Sequence, residues 1–397
     1  MPEAVLTLNA GSSSIKFSLF EIGPAGALAP ASHGEIEGIG GAAHFFARDP
    51  VGAALADRTW AQTPPFATLL ETVIGWAEGH LGADKLIAVG HRVVHGGTEH
   101  ARPERVTPAL LDALDRLTPL APLHEPHNLA PIRAIAAARP KLPQVACFDT
   151  AFHHDMPKVA TRFALPREYE NAGIRRYGFH GLSYEYIATR LGEIAPDLAK
   201  GRTIVAHLGN GASLCALRAG RSIDTTMGFT ALDGLVMGTR CGDLDPGIVL
   251  YLEQELGLSA KVVEDILYRH SGLLGVSGGI ASDMRTLLAS RDPRAAEAIE
   301  LFVFRIAREI GALTSSLGGL DGLVFTAGIG ERAPEIRARV CDRLGWLGVA
   351  LDAKANDENA AVISLTQSKI IVRVVPTDEE AMIARHTLNI IRPQAAT

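Results

Sequence analysis

The sequence predicts an α/β protein of two lobes built on a repeated plan, and three observations carry that prediction. Each half opens on an apolar strand that breaks into a tight Gly/Ser turn and resumes as a strand: residues 5–20, turning through Asn9-Ala10-Gly11-Ser12-Ser13-Ser14, and residues 203–217, turning through Gly209-Asn210-Gly211. Each half later holds an apolar strand that ends in a polar turn, residues 145–149 and 322–326, and these two are expected to correspond. The length, 397 residues, fits two domains better than one.

The elements follow in order. Residues 34–56 are Gly/Ala-rich and read as further strands and loops. Residues 68–81 have helical periodicity. Residues 86–94 read as a buried strand that runs into His91-Arg92-Val93-Val94-His95-Gly96-Gly97, and residues 108–117 as a helix. The run 119–128 contains Pro119, Pro122 and Pro126, which remove donors and fix φ, so it is expected to be irregular. Residues 132–138 read as a helix and 143–148 as a strand ending at Asp149. In the second half, a loop-rich stretch at 224–246 precedes helical blocks at 247–256 and 260–267. Residues 295–317 form a long amphipathic helix with Ile299, Phe302, Val303, Ile306, Ile310 and Leu313 on one face. The strand 322–326 runs into Ala327-Gly328-Ile329-Gly330, and a last strand, 370–376, leads to Thr377-Asp378-Glu379-Glu380, which caps a final helix.

Composition narrows the function. Apolar residues make up 47% and charged residues 21%, enough to bury large cores. A net charge of −6 argues against nucleic acid as the main partner, because phosphate-backbone binding needs a basic face. Cys147, Cys215, Cys241 and Cys341 form no C-x-x-C pair, so neither a zinc site nor a disulfide framework is indicated. Glu3 stands where a secretory leader carries basic residues, and no apolar run approaches membrane-spanning length. A cytoplasmic protein with no membrane partner is expected.

Several clusters carry chemistry. There is no Walker A pattern; instead Ser12, Ser13, Ser14 and Lys16 sit on the opening hairpin. A single such turn reads equally well as an ordinary polar turn, but its repetition at Gly209-Asn210-Gly211 favours phosphate binding through backbone N–H groups. Gly328-Ile329-Gly330-Glu331-Arg332-Ala333 matches a dinucleotide fingerprint, yet lies too near the C-terminus to open a full NAD domain. Arg92, His124, His180 and Arg240 all lie in predicted loops, most of them flanked by glycine. Any one of them is explained by a surface ion pair or a satisfied core histidine. Together they supply the fixed positive donors that a transferring phosphoryl group needs. Asp149 and Glu379 are candidate metal carboxylates or, equally, helix caps. His153-His154-Asp155 resembles a metal trio, but adjacent histidines on a strand point to opposite faces, so a structural or surface role is expected.

Taken together, residues 8–16, 90–97, 147–153, 176–181, 207–211, 238–240, 282–285 and 376–380 resemble the acetate kinase family, within the acetate and sugar kinase, heat-shock chaperone and actin superfamily. The resemblance covers essentially the whole chain. It implies a duplicated, two-lobed ribonuclease-H-like α/β fold, mixed sheets flanked by helices. Residues 1–150 with 380–397 would form one lobe and 151–379 a nucleotide-binding lobe, with the site in the cleft. The implied activity is reversible transfer of the γ-phosphoryl of ATP to acetate, giving acetyl phosphate and ADP, by a homodimer. Mg²⁺, with Mn²⁺ as the alternative, would involve Asn9 and Glu379. The nucleotide would be lined by Ser12, Lys16, His207, Leu208, Gly209, Asn210, Gly211, Asp283, Met284, Arg285, Gly328, Ile329, Gly330, Glu331 and Arg332. Arg92 would bind the carboxylate, with His124 and the acyl-pocket residues Val94, Leu123 and Phe179. Asp149, His180 and Arg240 would be the catalytic set.

Chemistry adds a reservation about Asp149. A short carboxylic acid is already ionised at neutral pH, so attack on phosphorus needs no general base, and Asp149 is expected to hold metal or orient groups. Three positions depart from the family's usual residues. Ala231 stands where proline is common, Arg332 where asparagine is usual, and Glu125 replaces a common asparagine beside His124. Ala231 would admit propionate; Arg332 would alter the nucleotide contact or point outward; Glu125 would raise the basicity of His124. A propionate or butyrate kinase is the near alternative. A chaperone- or actin-like ATP-driven protein explains both turns but not Arg92, His180 and Arg240, and an NAD enzyme would rest on the Gly328 turn alone.

Overall fold

The computed structural model describes residues 3–11, 13–81, 85–122 and 124–392; Ser12 and Leu123, expected at the phosphate and acyl sites, lie outside them. The chain divides into two units, residues 1–151 with 378–397, and residues 152–377.

In the first unit β1 (Glu3–Ala10) pairs antiparallel with β2 (Ile15–Ile22), which continues through β3 (Leu28–Glu37), β4 (His44–Arg48) and β5 (Ala54–Thr59). On its other side β1 pairs parallel with β6 (Lys85–Val93), which pairs parallel with β8 (Gln144–Phe148); the two-residue strand β7 (Glu104–Arg105) closes that edge. The sheet order is β5-β4-β3-β2-β1-β6-β8-β7. β1 reads as a continuous apolar run because both of its faces are covered. Leu6, Leu8 and Ala10 join a cluster with Phe17, Phe45 and the helix Phe66–Leu81. Val5 points the other way, against Ala384 and Leu388 of the last helix, Glu379–Ile391. Fully burying side chains of this size contributes about 1.5–3 kcal/mol each. The last helix lies so close to β6 that a Cβ on Gly90 would stand 2.2 Å from Thr387 Oγ1 and 2.6 Å from Ile383 Cγ2.

In the second unit β9 (Arg202–Leu208) pairs antiparallel with β10 (Ala212–Arg218), which continues to β11 (Arg221–Thr225). β9 also pairs parallel with β12 (Gly322–Thr326), which pairs parallel with β13 (Ile371–Val374). The order β11-β10-β9-β12-β13 repeats β3-β2-β1-β6-β8. This corrects the expected correspondence: β12 matches β6, because each lies beside the opening strand, and the counterpart of β8 is β13. The sequence comparison matched strands by their polar ends, whereas position in a sheet is set by the pairing partner.

Two other expectations give way. A helix, Glu125–Ala138, begins inside the proline run. Pro126 falls in its first turn, where the missing N–H would have no helical acceptor, and Pro131 is tolerated inside it. His153 ends a 3₁₀ turn, Ala151–His153, rather than lying on a strand. It is buried, donates from Nε2 to the Phe179 carbonyl at 3.0 Å, and accepts at Nδ1 from Ser222 Oγ at 2.8 Å. His154 Nδ1 instead lies 3.0 Å from Asp155 at the surface.

Candidate functional site

Both units place their polar residues at the carboxyl ends of the parallel strands, where open α/β sheets bind ligands. In the first unit Asn9 is near the end of β1, Arg92 near the end of β6, Asp149 just past β8, and Glu379 in the first turn of the last helix. The structure brings these four together. Arg92 Nη2 donates to Asp149 Oδ2, Arg92 Nη1 lies 3.5 Å from Asn9 Oδ1, and Arg92 Nε lies 3.9 Å from Glu379 Oε2. Asp149 is completely buried and its Oδ1 has no partner among the described residues. Burial, then the Asp149 charge, pushes Glu379 up to about 8, against the pull of Arg92 and Lys16; Glu380 is also raised, chiefly by burial. Three acids thus face two bases.

That imbalance and the orphaned Asp149 oxygen fit a divalent cation. The described residues contain no cluster of three or more His, Cys, Asp or Glu able to hold a metal alone. An ion here would complete its shell with water and phosphate oxygens, as Mg²⁺ usually does.

Val94 and His124 also belong to this unit. Val94 N donates to Asn128 Oδ1 at 2.9 Å, and Asn128 Nδ2 donates to the Ala10 carbonyl at 2.7 Å, tying the ends of β1 and β6 together. His124 stands at the N-cap of the helix Glu125–Ala138. Glu125 is buried, and neither of its oxygens has a hydrogen-bond partner among the described residues. Burial pushes its carboxyl up to about 8, against the pull of the His95 backbone, which approaches it without the geometry of a full hydrogen bond, and of the nearby Arg92. The expectation that it raises the basicity of His124 therefore fails: at neutral pH the carboxyl is protonated and supplies no negative charge. The consequence is measurable. Between its ordinary value of 4.5 and about 8 the folded state holds a proton that the unfolded chain has lost, so stability falls as pH rises through that window. The slope is about 1.4 kcal/mol per pH unit. Glu125→Gln carries no such proton, so its urea midpoint should gain on the parent's from pH about 5 to about 8. A constant difference would show that Glu125 is ionised in the folded protein.

In the second unit a cavity of about 680 Å³ is lined by Gly209, Asn210, Asp283, Met284, Arg285, Gly328, Ile329 and Arg332. Leu288, Ala289, Ala333, Pro334 and Glu335 complete it, and sequence reasoning missed these. Ala333 closes the recognised fingerprint at 328–333 without having been assigned to the site, and Pro334 and Glu335 directly follow it. Leu288 and Ala289 come from the far end of the helix Met284–Ala289, beyond the recognised segment 282–285. Asp283 caps that helix, its Oδ1 accepting from Thr286 N at 2.9 Å, a bond that lowers its pKa. Arg332, the departure from the family pattern, lies on the cavity wall. Leu208 and Gly330 are buried behind the wall, and Glu331 Oε1 accepts from Thr377 N at 3.2 Å. Lys16 lies in the first unit, on β2.

Beside the cavity a second group forms on the turn between β9 and β10. A Cβ built on Gly211 would meet Arg240 Nη2 at 2.6 Å and His180 Nε2 at 3.2 Å, so both side chains converge on that turn. Arg240 Nη1 is fixed on the Ala231 carbonyl at 2.5 Å. The Arg240 loop is held to the turn by Gly238 N donating to the Asn210 carbonyl at 3.0 Å. His180 has φ +58°, a left-handed conformation rarely adopted outside glycine, and its ring stacks on that of His207 at 4.2 Å. Such strain marks sites where position matters more than local comfort. Phe179 is buried in this unit and Ala231 partly buried.

The comparisons with known proteins agree with this architecture. The profile of the acetokinase family matches residues 4–385. The chain belongs to the acetokinase family. An acetate kinase of Rhodopseudomonas palustris is 56% identical over 393 residues, covering 97% of this chain and 98% of that one. The crystal structure of the Porphyromonas gingivalis acetate kinase superposes with a TM-score of 0.86 at 38% identity, covering 98% of this chain and all of that one. A propionate kinase from Francisella tularensis superposes with a TM-score of 0.90 at 37% identity, with the same coverage. Membership of this family sets aside the reading of Gly328, which lies in the short helix Ala327–Arg332 that follows β12, as the head of an NAD domain. It also fixes the class of the chain as a kinase that uses ATP or ADP and a divalent metal.

Proposed function

We propose that this chain transfers the γ-phosphoryl group of ATP to acetate, reversibly, giving acetyl phosphate and ADP, with Mg²⁺ (or Mn²⁺) as the ion. The observations that carry this reading are the Asn9-Arg92-Asp149-Glu379 cluster within the first unit and, within the second, the convergence of His180 and Arg240 on the Gly211 turn. Acetate is a carboxylate at neutral pH, so one of its oxygens attacks phosphorus directly and no proton has to be removed. The new P–O bond forms as the bond to the ADP oxygen breaks, and ADP leaves with that electron pair. The two reactants are both anions, and catalysis consists of holding them together. Arg92 binds the acetate carboxylate beside Asn9, with Val94, His124 and the acyl-pocket residues Leu123 and Phe179. Arg240 and His180 donate to the phosphoryl oxygens as charge spreads over them. The cavity walls and Lys16 hold the nucleotide. Asn9, Glu379 and Asp149 would hold the metal ion, which neutralises phosphate charge when bound.

Hydroxylamine added during turnover should trap an acyl hydroxamate that depends on both ATP and acetate. No hydroxamate under those conditions would overturn the reading and favour an ATP-driven conformational protein. The same assay distinguishes acetate from propionate or butyrate. Ala231 and the propionate kinase neighbour favour some propionate use, but one methylene shifts preference by only about 1–3 kcal/mol. The specificity constant for acetate should remain the largest.

A homodimer and a cytoplasmic location complete the reading. The helix Pro246–Gln254 has no buried residue and exposes Ile248, Leu250 and Tyr251 at 43%, 51% and 56%. An apolar helix of this kind is covered when a second copy packs on it. Replacing Leu250 and Tyr251 by Asp should halve the mass seen by light scattering; an unchanged mass would exclude this face as the interface. All four cysteines are free, as a reducing compartment requires, and no described helix is long and apolar enough to cross a membrane.

A further inference from the structure

His180 is one of the two groups assigned above to the phosphoryl oxygens, and the state of its ring deepens that reading and rests on it. His180 Nδ1 lies 2.8 Å from Ser213 Oγ. Ser213 is completely buried on β10, and 2.5 Å from its Oγ, on the far side, stands the hydroxyl of Tyr184. Tyr184 is also completely buried, in the helix Gly181–Ile194 that follows His180. Among the described residues its hydroxyl meets no other hydrogen-bond partner.

The direction of this chain follows from its buried end. A buried O–H with one neighbour either donates to that neighbour or is orphaned, at a cost of about 1–3 kcal/mol. Burial raises the Tyr184 phenol well above its ordinary pKa, so the proton is there to give. Tyr184 therefore donates to Ser213 Oγ. The Ser213 hydroxyl hydrogen then points to its remaining neighbour, His180 Nδ1, which must accept and so carries no proton. The proton of the neutral ring sits on Nε2, the nitrogen that faces the Gly211 turn beside Arg240 Nη2. An imidazolium would need a proton on Nδ1; Ser213 Oγ would then accept from both neighbours, and its own completely buried hydroxyl hydrogen would have no acceptor among the described residues.

We propose that Tyr184 and Ser213 are positioning residues for the phosphoryl transfer: a directed chain, Tyr184 O–H to Ser213 O–H to His180 Nδ1, fixes His180 as a neutral Nε2–H donor. The positive charge at this half-site then belongs to Arg240, while His180 contributes a hydrogen bond of fixed direction. Locking a catalytic imidazole in one tautomer is what buried partners of active-site histidines do elsewhere, and its loss is costly.

The test uses the full-length protein with ¹⁵N-labelled histidine, His180 being assigned by the signals lost in His180→Asn. In the parent, Nε2 should carry the proton and Nδ1 should show the shift of a bare nitrogen accepting a hydrogen bond. In Ser213→Ala that hydrogen-bond shift should vanish and kcat should fall by about tenfold or more, while KM for ATP stays within about twofold. Tyr184→Phe should move both readouts the same way by a smaller factor, and serves if Ser213→Ala does not fold. A proton on Nδ1 in the parent, or unchanged kcat in both variants, would overturn the proposal. Full turnover in His180→Asn would instead overturn the role of His180 itself, separately from the state of its ring.

Discussion

Arg240→Ala should lower kcat by about 10³-fold while ATP affinity changes only a few-fold, because a positioned arginine acts on charge that develops only during transfer. Arg240 is suited to this. One guanidinium nitrogen is held by the Ala231 carbonyl at 2.5 Å, and the other points at the Gly211 turn. The side chain is thus oriented before substrate arrives, and little reorganisation remains for the transition state. It does not line the cavity proposed for the nucleotide, so on that proposal ground-state binding of ATP is expected to be independent of it. Steady-state kinetics and calorimetric titration with ATP would check both halves of the statement. Near-normal turnover with unchanged ATP affinity would remove Arg240 from the chemistry, and a parallel loss of both would make it a binding residue.

Arg337→Met should cost at least about 3 kcal/mol of stability and raise KM for ATP. Arg337 is the largest fully buried side chain in the protein, and no carboxylate among the described residues forms a salt bridge with it. Its guanidinium makes five hydrogen bonds instead: to the Gly330 and Glu331 carbonyls, to the carbonyl and Oδ1 of Asn356, and to Oδ1 of Asn359. The first two end the short helix Ala327–Arg332, whose opening residues line the cavity. Methionine fills much of the volume but strands those acceptors. The urea midpoint reports the first effect. The second should appear as a rise in KM with a smaller change in kcat, since the helix carries residues proposed to bind the nucleotide rather than the proposed phosphoryl donors. An unchanged midpoint would mean that water satisfies the acceptors.

Much of this was legible in the sequence, for identifiable reasons. The opening hairpins could be read because β1 and β9 are buried on both faces and so appear as unbroken apolar runs ending at small residues. Arg92, Asp149 and Glu379 could be named because they stand at strand ends and a helix start, where side chains are free to serve a ligand; Asn9 came only with the resemblance to the family. The equivalence of β12 with β6 could not be read, since it depends on which strand each one pairs with across the sheet. Pro126 misled because a proline in a first helical turn looks, in sequence, like a proline in a loop. Ser213, Tyr184 and Arg337 gave no local signal. Each acts through a partner distant in sequence, and only folding makes a buried serine the neighbour of both a tyrosine and a histidine.

The return of the last helix to the first unit has a temporal consequence. Strand β6 waits, with Gly90 bare, for a segment that follows the whole of the second unit along the chain. The second unit is encoded without interruption and can mature while translation is still under way. The first must persist with one side of its sheet uncovered until that helix has been made, so that its assembly, although begun before the second unit's, is completed after the second unit has been synthesised.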